Sequence, residues 1–227
     1  MKCLAVNTAT KVLSIAIVDG GKTLHLFETP EMRDQGNVLL GHIKSGLAEN
    51  KISFSDLDLL AVVTGPGSFT GIRVGLATMR GIALAADKPL IGISSFEMFA
   101  AAEEDAVNIV AVESWREELY FAVLDGEGRS LIECMNETPD VFFKRFHHHL
   151  PTGRKIIISG DAKESAAALF PQAILKDKEA NAADVARLAV RQFKKGAVLA
   201  KPIPYYLREA DVTISRKTAH TLKAQED

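Results

Sequence analysis

The chain of 227 residues is 47% hydrophobic and 25% charged, a composition that is typical of folded globular proteins and excludes extended disorder. Its 27 lysines and arginines and 29 aspartates and glutamates leave a formal charge of -2, so no global positive field attracts nucleic acid or anionic lipid. Any contact with RNA is therefore expected to be local or shared with a partner. At this length a chain buries a sizeable core without a metal, a cofactor or a disulfide.

The two cysteines, Cys3 and Cys134, are far apart in the sequence and lie beside apolar residues. This pattern is typical of buried thiols in a reducing compartment and not of a disulfide framework. The apolar run at the N-terminus is too short for the core of a signal peptide, and no run of about 18 or more apolar residues predicts a membrane span. We therefore expect a cytoplasmic protein without membrane attachment.

The first half of the chain predicts three strands, a helix, a strand and a further helix, in that order. Tight glycine turns and apolar alternation indicate the strands, and helical spacing of apolar residues indicates the helices. The predicted elements are strands at 3–7, 12–18 and 23–28, a helix at 35–50, a strand at 57–64, a helix at 71–86, a strand at 90–93 and a short helix to residue 102.

The second half repeats this order, which predicts an α/β fold of two duplicated subdomains, each a mixed sheet flanked by helices. Its elements are strands at 107–112, 118–124 and 130–135, a helix at 138–148, a strand at 155–159, and helices at 162–169 and 181–195. The polar run Glu103-Glu104-Asp105 divides the halves, so we expect an N-terminal subdomain at 1–104 and a diverged C-terminal subdomain at 105–227. The latter ends in a tail with prolines that exclude regular helix.

Residues 65–71 read Gly-Pro-Gly-Ser-Phe-Thr-Gly between a buried strand and a helix. Glycines allow close backbone approach, so Gly65, Gly67 and Ser68 are candidates for an anion-binding loop. The loop lacks the Lys-Ser/Thr ending of a P-loop, and its glycine spacing differs from that of dinucleotide-binding loops. A tight turn with Ser68 or Thr70 as helix cap explains the same residues, and both interpretations stay open.

The helix predicted after this turn carries Gly71, Gly75 and Gly81, each of which costs about 1 kcal/mol relative to alanine in a helix interior. Gly71 and Gly75 belong to a narrow stripe of small residues that would let another helix backbone come close. Leu76 and Met79 belong to a bulkier apolar stripe. A helix that is apolar almost all round is either buried in its own subunit or completed by a partner, and the sequence leaves both open.

The run from Gly65 to Gly75, continued at 81–85, resembles the TsaB family of tRNA threonylcarbamoyladenosine biosynthesis proteins. Residues 4–10, 91–95 and 204–208 support the resemblance, which is strong over 1–100 and thin over 101–200. It implies an actin-like ATPase fold, of the ribonuclease H-like kind, with two duplicated subdomains. The family usually has Asp where this chain has Asn7. Since an amide brings no negative charge to Mg²⁺, Asn7 and Thr8 are expected to form at most a vestigial nucleotide loop with Gly65, Gly67 and Ser68.

The resemblance further implies a non-catalytic subunit that pairs with its paralogue TsaD, which carries the metal and the catalytic site for threonylcarbamoyl transfer to tRNA adenosine. The ATPase TsaE would join the pair, so this chain would need no cofactor, and ATP and metal are expected on the partner subunits. We expect tRNA to bind only within the complex, and the sequence leaves open whether the isolated chain is a monomer or a homodimer. The family pairs through two helices, here 35–49 and 71–86. The expected interface residues are Val38, Leu39, Ile43, Leu47, Gly71, Gly75, Leu76 and Met79.

Two alternative functions compete with this one. An autonomous ATP-binding enzyme of the actin-like or sugar-kinase class would need a carboxylate at residue 7 and a second phosphate loop, for which 125–128 is the candidate and a hairpin turn the simpler account. A metallopeptidase would need a His-x-x-x-His pair or its equivalent. The consecutive His147, His148 and His149 point about 100° apart on a helix, so a solvated helix end is expected there.

Overall fold

Two five-stranded mixed sheets form the framework of the protein. The computed structural model describes residues 1–30, 35–100, 103, 105–149, 153–177, 179–196 and 201–208. The strands of the first sheet are β1 (Lys2–Asn7), β2 (Leu13–Asp19), β3 (Lys22–Thr29), β4 (Leu59–Gly65) and β5 (Leu90–Ser94). The strands of the second are β6 (Ala106–Glu113), β7 (Leu119–Leu124), β8 (Ser130–Glu137), β9 (Lys155–Ser159) and β10 (Ile174–Leu175).

Both sheets have the same strand order. The first runs β3-β2-β1-β4-β5, and the second, taken from its other edge, runs β8-β7-β6-β9-β10. In each, the first three strands of the unit are antiparallel and the last two are parallel to the first. Gly20 and Gly21, both at positive φ, make the two-residue turn between β2 and β3, a backbone that side chains disfavour. The predicted duplication is therefore confirmed.

Six helices within the described residues flank the sheets. They are α1 (Gln35–Glu49), α2 (Phe69–Ala86), α3 (Ser95–Phe99), α4 (Pro139–Phe146), α5 (Lys163–Ala167) and α6 (Ala182–Lys194). Helix α2 begins two residues earlier than predicted, because Ser68 accepts a hydrogen bond from the amide of Gly71 and caps it. Strand β10 has only two residues and was not predicted, since so short a segment carries no periodicity.

The first sheet is covered on both faces, which explains why β1 and β4 are nearly continuous runs of buried apolar residues. Helices α1 and α2 pack on one face: a side chain at Gly75 of α2 would contact Val62 of β4, the strand neighbour of Val6. Helix α6 packs on the other face, where Ala182 donates its amide hydrogen to Oγ of Ser14, the neighbour of Asn7.

Helix α6 lies on the first sheet although it follows the second sheet in the chain. The subdomain boundary at 104/105 stays a prediction, and the part of the predicted tail beyond residue 208 is outside the described residues. Across the residues described, no helix combines the length and the apolar character that crossing a membrane requires.

Candidate functional site

The loop after β1 is organised by the buried side chain of Asn7. Its Oδ1 accepts a hydrogen bond from the amide of Ala9 at 3.0 Å, and its Nδ2 donates to Oγ1 of Thr10 at 2.7 Å and to the carbonyl of Val12 at 3.3 Å. An amide supplies both kinds of group, whereas a carboxylate would supply only acceptors. Asn7 therefore holds the loop conformation from within the protein.

The glycine-rich turn after β4 packs directly on this loop. Thr8 donates its hydroxyl hydrogen to the carbonyl of Gly71 at 2.7 Å, and Ser68 donates its amide hydrogen to the carbonyl of Ala9 at 2.7 Å. Any side chain at Gly67 would overlap the same carbonyl of Ala9. The turn-and-cap interpretation is therefore correct in geometry. The predicted anion loop is occupied by protein groups at these positions, and its binding of an anion stays a prediction.

The glycines at the start of α2 face the subunit's own core, and the predicted interface stays a prediction. A side chain at Gly71 would overlap the carbonyl of Thr8, and one at Gly75 would overlap its hydroxyl. The close backbone approach that the sequence predicts is thus made to the loop after β1, and not to another helix. Seven of the eight predicted interface residues are buried in the isolated chain. They are Leu39, Ile43, Leu47, Gly71, Gly75, Leu76 and Met79.

Val38 is the predicted interface residue that the structure leaves at the surface, where it is 40% exposed. It belongs to an apolar and small-residue surface on the outer side of α1 and α2, which pack against each other. We call this surface the outward helix face. It consists of Val38, Gly41, Ser45 and Ala48 of α1 and Ala77, Gly81 and Leu84 of α2, all exposed. Leu84 is 87% exposed, the highest value among the large apolar side chains described.

A second polar cluster, which no sequence pattern indicated, joins the two sheets. Asp161 accepts hydrogen bonds from the amides of Lys11 and Glu113, both at 2.9 Å, and the Lys11 ammonium lies 3.1 Å from the Glu113 carboxylate. Burial raises the pKa of the Asp161 carboxyl, against the lowering effect of the two amides and of Lys11. These residues come from three distant parts of the chain, so no local motif could have indicated them.

The candidate second phosphate loop at 125–128 is a hairpin turn. Asp125 accepts hydrogen bonds from the amides of Glu127 at 3.0 Å and Arg129 at 2.9 Å, and from Nε of Arg129 at 2.7 Å. The Arg129 guanidinium and these amides lower the pKa of Asp125. The carboxylate of Asp125 therefore stabilises the hairpin turn to which it belongs.

A cavity of about 380 Å³ opens between the start of α2, the loop after β6 and the chain at 205–208. Its walls are rich in aromatic rings, including Phe69, Trp115 and Tyr206. Trp115 is 45% exposed and has φ of 59°, unusual for a bulky residue. Arg73 lies 3.7 Å from the centre of the Phe69 ring and donates to the Tyr206 hydroxyl at 3.2 Å.

The histidine run ends α4, as expected of a helix terminus. Nδ1 of His147 lies 2.8 Å from the carbonyl of Phe143, and the two rings stack. Within the described ranges, no group of three or more His, Cys, Asp or Glu residues is arranged to bind a metal ion.

The duplicated sheets, their common strand order, and the packing of the β1 loop on the turn after β4 define a protein of the actin-like ATPase fold. The family model TsaD, tRNA N6-adenosine threonylcarbamoyltransferase, matches residues 32–221. The chain therefore belongs to the TsaD family.

Curated relatives confirm the resemblance to TsaB proteins. The chain is 36% identical over 123 residues to the tRNA threonylcarbamoyladenosine biosynthesis protein TsaB of Haemophilus influenzae, a match that covers 52% of each chain. Its identity to TsaB of Escherichia coli is 36% over 100 residues, 44% of this chain and 43% of that one. The chain thus spans about half the length of these curated relatives.

Solved structures share the fold. YeaZ from Pseudomonas aeruginosa is 20% identical with a TM-score of 0.70, covering 91% of this chain and 99% of its own. ROK hexokinase from Thermus thermophilus is 12% identical with a TM-score of 0.51, covering 86% of this chain and 100% of its own. These likenesses concern the fold alone, and they confirm the predicted fold class.

Proposed function

We propose that this chain acts in tRNA threonylcarbamoyladenosine biosynthesis as a non-catalytic subunit that pairs with a TsaD threonylcarbamoyltransferase. The names of the TsaB relatives support the pathway, and the family match supports pairing between paralogues. TsaE is the proposed third member. In this assembly ATP, metal and the transfer chemistry belong to the partners, and tRNA binds the complex and not the isolated chain.

The observation that carries the proposal is the outward helix face. Leu84 and Val38 expose apolar surface beside the small residues Gly41, Ala77 and Gly81, and this combination permits close packing of a second pair of helices. Burying the Leu84 side chain in an interface would by itself stabilise the complex by about 2 kcal/mol, as expected from its apolar area. The buried residues Leu39, Ile43, Leu47, Leu76 and Met79 act indirectly, by holding the two helices in place.

The non-catalytic role is supported by the loops at the start of the first subdomain. Asn7 brings an amide where metal-dependent members of the fold need a carboxylate, and its two polar atoms are engaged within the loop. Ser68 and Thr8 are likewise hydrogen-bonded to the protein's own backbone. A nucleotide entering here would have to separate the β1 loop from the start of α2.

The test is light scattering on this chain mixed with the TsaD paralogue of the same organism, each also run alone. We expect a one-to-one complex. The variant Leu84→Glu should weaken pairing by about tenfold or more, because a carboxylate would be buried without a partner. The matched control is Val141→Glu on α4, an exposed apolar helix residue of the second subdomain, which should pair like the wild type.

Two results would contradict the proposal. The first is that the proteins stay separate while the paralogue modifies tRNA unaided. The second is that Leu84→Glu pairs as tightly as Val141→Glu, which would place the interface elsewhere. Isothermal titration with Mg²⁺ and ATP tests the alternative enzyme: robust binding by this chain alone would favour an autonomous ATP-binding protein. If the isolated chain forms a homodimer and Leu84→Glu dissociates it, the chain pairs with itself through the same face.

A further inference from the structure

A groove with one basic wall lies between α6 and the turn joining β2 and β3, on the side of the first sheet opposite α1 and α2. Its volume is about 420 Å³. One wall carries the cations Arg187, Arg191, Lys194 and Lys195, and the other is the turn at Gly20. All four cations are exposed. In a chain whose formal charge is -2, this is a local concentration of positive charge.

The cations form a row along one face of α6. Arg187, Arg191 and Lys194 stand four and then three residues apart, which places them on one side of a helix over about 10 Å. Arg187 fixes the wall of the groove: its Nε donates to the carbonyl of Gly21 at 3.2 Å and its Nη2 to the hydroxyl of Thr23 at 2.7 Å. Arg187 therefore ties the row to the turn between β2 and β3.

Among the described residues, the nearby carboxylates neutralise only the Arg187 end of this row. Asp184 accepts from Arg187 at 3.1 Å, and Asp19 accepts from the N-terminal amine at 3.2 Å. The side chains of Arg191 and Lys194 make no hydrogen bond or ion pair with any residue in the described ranges. Arg191 and Lys194 lie in the last turn of α6, where the negative end of the helix dipole favours cations, but this interaction leaves both side chains exposed and able to contact a phosphate.

We propose that this basic groove binds the phosphate backbone of tRNA. A row of cations on one surface can neutralise neighbouring phosphates and release their counterions, which is the main source of sequence-independent RNA affinity. The inference rests on the proposed function, because the tRNA would be the substrate of the complex. The groove lies on the opposite side of the sheet from the outward helix face, so pairing through that face leaves it accessible.

The test is fluorescence anisotropy of a labelled tRNA transcript with the one-to-one complex and with the chain alone, between about 50 and 200 mM salt. The variant combines Arg191→Ala with Lys194→Ala and keeps Arg187, which supports the turn. We expect affinity at low salt to fall by about tenfold or more. The salt slope should fall by about 2, because each of the two cations neutralises one phosphate and each neutralised phosphate contributes about one unit. The control, Lys144→Ala with Lys155→Ala, removes two exposed lysines of the second subdomain and should bind like the wild type.

Thermal unfolding and light scattering of both variants show whether folding and pairing are intact. The proposal would be overturned if variant and control bound tRNA with equal affinity and equal salt dependence. It would also be overturned if the wild-type chain bound no tRNA, either alone or in the complex. Binding of polyglutamate that depends on Arg191 and Lys194, with tRNA binding unaffected, would overturn it in favour of an acidic protein partner. If no complex forms, the proposed function fails; tRNA binding by the chain alone that the variant loses would then support the groove and contradict the expectation that tRNA needs the complex.

Discussion

Replacing Gly75 with alanine is expected to destabilise the isolated chain, while the same replacement at Gly81 stabilises it. Both glycines lie in α2. A methyl group at Gly75 would overlap the hydroxyl of Thr8 and lie 3.4 Å from a methyl of Val62, whereas nothing lies within 4 Å of one at Gly81. The two substitutions change helix propensity equally, so their difference reports packing alone.

The magnitude follows from three contributions. Overfilling a packed core costs about 1–3 kcal/mol. Displacing the Thr8 hydroxyl from the Gly71 carbonyl costs about 1–3 kcal/mol, because a buried hydroxyl loses its acceptor. The higher helix propensity of alanine offsets about 1 kcal/mol. We expect a net loss of about 3 kcal/mol for Gly75→Ala, and a gain of about 0.5–1 kcal/mol for Gly81→Ala, where only the propensity changes.

The assay is thermal and urea unfolding of the isolated chain, followed by circular dichroism. At about 2–4 °C per kcal/mol, Gly75→Ala should lower the melting temperature by about 6–12 °C and Gly81→Ala should raise it by about 2 °C. Equal stabilisation by both would refute the packing of α2 on the β1 loop. The same contacts predict that Gly75→Leu unfolds the subunit, because a larger side chain overlaps the Thr8 hydroxyl still further.

The other predictions concern the loop held by Asn7 and the polar cluster around Asp161. Asn7→Asp should lower the free energy of unfolding by about 2–4 kcal/mol without creating ATP affinity, because it buries a charge and removes two donated hydrogen bonds; calorimetry showing tight Mg²⁺-dependent ATP binding would contradict this. Asp161→Ala should cost about 2–4 kcal/mol in urea unfolding, since two amides lose their acceptor. The raised pKa of Asp161 makes the folded chain bind the extra proton, so its contribution to stability is present below the unfolded pKa and falls as pH rises through the folded value. The cost of Asp161→Ala should therefore be larger near about pH 4 than near about pH 7, and an increase with pH would be the contrary result.

The order of elements along the chain and their duplication could be predicted because their causes are local. The two-residue turn at Gly20, the capping of helices by Ser68 and Asn181, and the buried run of β4 each indicate an element from its own residues. The repeat of three strands, helix, strand and helix then determined the fold class. Helix ends shifted by one to three residues, since their caps depend on hydrogen bonds that periodicity does not contain.

The sequence could not predict which side of α2 is buried and which is exposed. The stripe of glycines correctly indicates a close backbone approach on α2, but a helix pattern does not say which neighbour fills the space. The neighbour is Thr8, brought there because β1 and β4 are adjacent in the sheet. Once Gly71 and Gly75 face inward, the opposite side of the helix, with Leu84, is the side that remains exposed.

What the sequence determined by itself is therefore the set of elements, their repetition and the family that carries this glycine pattern, because each of these is written in neighbouring residues. The tertiary structure alone decided which face of α2 is buried, that Lys11, Glu113 and Asp161 meet between the sheets, and that the cations of α6 line a groove beside Gly21. These arrangements depend on residues far apart in the chain, and only the packing of the sheets and helices brings such residues within hydrogen-bonding distance.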